Sequence, residues 1–173
     1  TDIKKKSNDD VATKIENIIL SNSNIFNNFD SKKFIVFFEG WEKRKSFFFD
    51  ICGQSRLNGK VAIYFANGKW KKDVGNNQKM FSCTKDKLNN LEDDSFGESE
   101  GTILHEMLHV LGAPPKCGKN LDQDNSSHVN DSKNDILYKI SGDKYLDYNN
   151  DDYYDHKIKE CPDLANSNYL SNF

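Results

Sequence analysis

Two histidines and a glutamate stand in the order His105-Glu106-x-x-His109, inside the stretch Ile103-Leu104-His105-Glu106-Met107-Leu108-His109-Val110-Leu111-Gly112. Residues four apart on an α-helix lie on one face, one turn apart, so both imidazoles can aim at a single point. Neutral imidazoles so arranged suit a zinc ion, at roughly 2.0–2.1 Å from each nitrogen. Glu106 follows the first ligand and is placed to take a proton from a water that the metal has acidified. The spacing therefore predicts a metal helix with a built-in general base. Ile103, Leu104, Met107, Leu108, Val110 and Leu111 would bury the rest of its surface. Gly112 can adopt the left-handed conformation that ends a helix, and Pro114-Pro115 cannot prolong one.

A catalytic zinc site takes three protein ligands and keeps one position open. In the metzincin metallopeptidases the pattern is H-E-x-x-H-x-x-G-x-x-H. The chain resembles it as far as Gly112, but Pro115 occupies the next ligand position and cannot bind a metal. A third ligand must then come from elsewhere. The chain has four histidines, which leaves His128 and His156, with Asp131 and Glu160 as outside candidates; Glu160 enters because gluzincin peptidases draw a Glu from a later helix. The run Asn134-Asp135-Ile136-Leu137-Tyr138 is similar to the metzincin Met-turn, with Leu137 in the place of the Met, where it would floor the metal site by packing. Asp131 and Asp135 could orient the metal-bound imidazoles.

Taken in order, HEMLHVLGA, HVNDSKNDILY and LDYNNDDYYDH resemble segments of a group of bacterial secreted zincin-like proteins. The likeness covers the C-terminal half, and FIVFFEG and CGQS only weakly. It implies a zincin-like fold, export from the cytoplasm, and a metal set of His105, His109 and His128 with Glu106 as catalytic base; His156 stays open as the alternative third ligand.

The elements that must position these groups are legible in outline. Val11, Ile15, Ile18 and Ile19 recur at helical spacing, predicting a helix over residues 9–20. Continuous apolar runs predict strands at 33–39 and 60–66. Asn67-Gly68 suggests a tight turn, with 69–72 returning as a short lysine-protected strand. Residues 88–98 read as an acidic linker, Ser99 as the N-cap of the metal helix, and 153–159 as a helical turn or two. Asp147-Tyr148-Asn149-Asn150-Asp151-Asp152 offers oxygen ligands that suit Ca2+.

The expected architecture is one α+β zincin-like domain over residues 1–173. An N-terminal part, about 1–112, would carry a small twisted mixed sheet and both helices, and an irregular C-terminal part, about 113–173, would close the cleft. The 173 residues suffice for a core, and a net charge of −3 argues against nucleic acid. No apolar run is long enough to span a membrane. The chain begins at Thr1 without a signal-peptide pattern, as a mature form would.

Four cysteines without a C-x-x-C favour two disulfides over a cysteine metal site, with Cys52–Cys83 and Cys117–Cys161 the expected pairs, and a secreted or periplasmic location. The function expected is zinc-dependent endopeptidase action by a monomer on a protein or peptide substrate, an extended substrate pairing with residues 61–65 as an edge strand. Two other classes stay open, a zinc-bearing binding or adhesion module without turnover, and a zinc amidase acting on cell-wall links.

Overall fold

Five consecutive apolar residues, Val61–Phe65, form the strand around which the sheet is layered, and all five are buried. A strand apolar on both faces needs cover on both. On one face Val61, Ile63 and Phe65 pack with Ile15 and Ile19 of the first helix, joined by Phe34, Val36 and Phe38. The metal helix packs against the same strand and its neighbour. The computed structural model describes residues 11–22, 32–39, 52–65, 69–74, 77–82, 98–139 and 145–170. Their elements are α1 (Val11–Ser21), β1 (Phe34–Phe38), β2 (Gly53–Gln54), β3 (Val61–Phe65), β4 (Lys69–Val74), β5 (Asn77–Ser82) and α2 (Glu98–Val110), then a 3-10 turn at Leu164–Asn166.

The sheet runs β1-β3-β2, with β1 parallel and β2 antiparallel to β3. It is small, mixed and flanked by helices, compatible with the expected α+β class. Three details depart from the sequence reading. Residues 61–65 form the central strand, so they offer no edge to a substrate; the border strand on the α2 side is β2. The lysine-rich β4 pairs with β5 in a separate two-stranded sheet instead of returning onto β3. The metal helix starts at Glu98, which puts Ser99 inside its first turn.

Beyond α2 the chain is irregular, as expected, and its own side chains hold it. Leu108, Ala113, Val129, Ile136, Leu137, Tyr153 and Leu164 form a second core. The Asp147 carboxylate accepts from the backbone N–H groups of Asp151, Asp152, Tyr153 and Tyr154. Residues 153–155 are bends and 156–158 irregular, not the expected helix; Asp155, at φ +49°, breaks the helical path. Cys117–Cys161 is bonded and ties the start of this region to its end across 44 residues. Cys83 lies outside the described residues, and the expected Cys52–Cys83 pair with it. Among the described residues no helix is long and apolar enough to cross a membrane.

Candidate metal centre

Helix α2 presents His105 and His109 one turn apart, as the spacing requires. His105 Nδ1 lies 2.6 Å from the Ile136 carbonyl oxygen and His109 Nδ1 lies 2.9 Å from that of Ala113. A carbonyl can only accept, so each Nδ1 carries the proton and each Nε2 presents a lone pair. The two Nε2 atoms face each other at 3.0 Å. Two lone pairs that close repel unless a cation stands with them.

The third imidazole is that of His128, its ring centroid 5.2 Å from His105 and 5.0 Å from His109. Ligand nitrogens of the three residues all lie within 4.8 Å of one another, at a half-buried to buried position. Burial first, then the neighbouring His109 and His128, hold the His105 imidazole down to about 3, against the opposing pull of its bond to the Ile136 carbonyl. Burial also lowers His109. Burial therefore favours the neutral form of the His105 and His109 rings, the protonation state a metal requires.

Each second-row partner has a local cause in the sequence. Gly112 sits at φ +100°, with Gly112 N–H bonded to the His109 carbonyl and Ala113 N–H to the Leu108 carbonyl. This Schellman closure brings the Ala113 carbonyl back to the His109 ring. The Ile136 carbonyl is set by the turn that Asp135 organises: its Oδ1 accepts from Leu137 N–H at 2.7 Å and the Tyr153 hydroxyl at 2.9 Å, and its Oδ2 from Tyr148 N–H at 2.6 Å. Leu137, in the Met-turn-like position, is fully buried in the core below. His128 is fixed through its backbone, its N–H on the Asn125 carbonyl and its own carbonyl taking Asp122 N–H. Asp122 in turn caps the 124–125 amides and pairs with Lys139 at 2.8 Å.

Glu106 lies against β2. Ser55 Oγ donates to its Oε2 at 2.5 Å, and a Cβ on Gly53 would come within 2.6 Å of its Cγ. Only glycine lets the helix and border strand approach so closely.

The structure does not bring the other candidates to the imidazoles. His156 is buried elsewhere, its Nε2 donating to the Pro162 carbonyl and its Nδ1 accepting from Ile158 N–H, so both nitrogens are occupied by backbone. Glu160 is exposed. Asp131 joins a different group of residues, with Asp151 and Asp152. Asp135, considered as a carboxylate partner for a histidine, acts through the turn instead, and carbonyls orient the rings. Nothing in the sequence marks a carbonyl as a ring acceptor; for Ser55 and Gly53 the only signal was the CGQS stretch. The buried cluster of His105, His109 and His128 can thus hold a metal ion. Comparison with protein-family models, with curated proteins and with solved structures finds no match.

Proposed function

We propose that this protein is an extracytoplasmic zinc-dependent peptidase of zincin-like fold, with His105, His109 and His128 as metal ligands and Glu106 as general base. The observation that carries the reading is the joint arrangement of three imidazoles and, next to the first of them in sequence, a carboxylate held by a hydroxyl. The donor set fits zinc: among the described residues three nitrogen ligands gather and no fourth His, Cys, Asp or Glu joins them, whereas structural zinc sites are closed by four protein ligands. When bound, zinc supplies Lewis acidity, which makes water nucleophilic near neutral pH and polarises the scissile carbonyl. The Nδ1–H bonds to the carbonyls of Ala113 and Ile136 fix the ring tautomers and orientations. Glu106 accepts the proton of the attacking water and delivers it to the departing amine. Ser55 keeps the carboxylate in one rotamer between those two transfers. The Cys117–Cys161 bond supports a location outside the reducing cytosol.

Glu106→Gln tests the reading. The variant should retain one zinc per chain and lose cleavage of a broad peptide library by at least about a thousandfold. Zinc-loaded parent protein that cleaves no peptide, but retains zinc as tightly, would replace the enzyme by a metal-bearing binding module; release of fragments from cell-wall material alone would replace it by an amidase.

A further inference from the structure

A second cluster of potential ligands lies away from the imidazoles, and none of it is used in the proposed reaction. Carboxylate oxygens of Asp131, Asp151 and Asp152 come within 4.8 Å of one another. They arrive from separate parts of the irregular region and meet without a histidine or cysteine.

Acidic residues often gather on surfaces without consequence, so the state of each one matters. Asp152 is fully buried and is braced by Asn120, whose backbone N–H donates to its Oδ1 at 2.6 Å and whose side-chain amide donates to its Oδ2 at 3.0 Å. The same amide reaches Asp151 Oδ1 at 3.0 Å. Asp131 is different. Both of its carboxylate oxygens expose less than 1 Å2, and neither has a hydrogen-bond partner. The N–H groups of Asp131 and Ser132 lie close enough to offset part of the burial effect, yet neither reaches hydrogen-bond geometry. A carboxylate enclosed with no donor is expensive.

Among the described residues no cation pairs with Asp131. Lys119 Nζ lies 3.6 Å from Asp151 Oδ2, on a side chain 61% exposed, which is a weak surface pair. Burial, then the charges of Asp152 and Asp135, push Asp131 up to about 6. At neutral pH it is still mostly ionised.

The neighbouring acids are accounted for. Asp135 and Asp147 spend their oxygens on backbone N–H groups and the Tyr153 hydroxyl. We propose that Asp131, Asp151 and Asp152 form a calcium site, with Asn120 as the brace that aims two of the three carboxylates. All-oxygen, anionic donors select a hard cation, and three carboxylates on irregular loops suit the adaptable shell of calcium better than the strict octahedron of magnesium. The site differs from the expected one. The run 147–152 contributes only its last two acids, while Asp147 folds the loop. Occupancy would clamp together the segments at 131 and 151–152, just beyond the loop that carries His128.

Calorimetric titration of the zinc-loaded protein with calcium chloride tests this directly. One calcium per chain is expected, with a Kd on the order of 10⁻⁵–10⁻³ M. A hundredfold excess over Kd should raise the unfolding midpoint by about 5–10 °C. Asp131→Asn should weaken binding by at least about thirtyfold while folding as well as the parent without calcium, because it removes an enclosed charge. His105→Gln should bind calcium like the parent, which separates this site from the imidazoles and keeps the test independent of peptidase activity. The proposal is overturned if calcium gives neither heat nor a midpoint shift, if Asp131→Asn binds like the parent, if His105→Gln abolishes binding, or if magnesium at equal concentration gives the same shift.

Discussion

Ser55 donates its hydroxyl to Glu106 across 51 residues of sequence, joining the turn after β2 to the middle of the metal helix. The contact does for the carboxylate what the two backbone carbonyls do for the imidazoles: it removes rotational freedom from a group that the proposed reaction needs in one direction. Gly53 makes it possible by letting the border strand lie against the Glu106 stem.

Removing either feature should hurt turnover without emptying the metal site. Ser55→Ala should lower kcat by about tenfold with zinc retained, since one hydrogen bond to a charged group is worth about 1.5–3 kcal/mol at most. Gly53→Ala should cost more, because the added methyl displaces Glu106 instead of merely freeing it. Zinc content and kcat measured on both variants check the pair; loss of zinc from Ser55→Ala would mean that the hydroxyl supports the whole helix.

The two later histidines should separate cleanly. His128→Ala should leave two ligands and a site that loses zinc on dialysis. His156→Ala should keep its zinc and instead lower stability by about 1–3 kcal/mol, because Ile158 N–H and the Pro162 carbonyl lose their partners in a buried place. Zinc content and urea midpoints of both variants give the comparison, and a zinc-depleted His156→Ala would reverse the assignment.

Acidity should act on the metal-free protein in one direction. His105 is held down to about 3 in the fold, against about 6.5 in an unfolded chain. Between those values the unfolded chain takes up a proton that the folded one refuses. The contribution of His105 is therefore complete above pH 6.5 and declines as pH falls towards 3, with a loss of about 2 kcal/mol on going from pH 7 to pH 5. His109, also lowered, acts with the same sign. Urea unfolding of the zinc-free protein at several pH values measures the slope, and His105→Gln should flatten it. A slope unchanged by that substitution would assign the acid sensitivity to other groups.

How far the sequence reached depended on whether the signal was local. The H-E-x-x-H spacing and Gly112 concern one helix and its end, and helix geometry alone converts them into a place in space. Elimination at Pro115 left both His128 and His156; the Met-turn-like stretch and the resemblance favoured His128, the one that stands beside His105 and His109. The placement of Val61–Phe65 at an edge failed although its pattern held the correction: five apolar residues without alternation mean two covered faces, hence a central strand. The expected helix at 153–159 failed for a reason no local pattern shows, that Asp155 takes a left-handed backbone conformation inside it. Asp131 was weighed as a partner for the imidazoles, and its real neighbours lie about twenty residues downstream. Long-range pairings of this kind are set by the packing of loops, which carry little periodicity to read.

A peptidase of the kind proposed would work among cleavable chains, its own included. The Cys117–Cys161 bond brackets His128, the Asp135 turn, Tyr153 and the acidic cluster. A single cut anywhere between the two cysteines therefore produces two chains that remain covalently joined, with the downstream piece anchored where the upstream piece leaves the metal helix. Such a nicked molecule can keep its core and its third imidazole. Damage by autolysis would then show first as a band that splits only after reduction, well before any activity is lost.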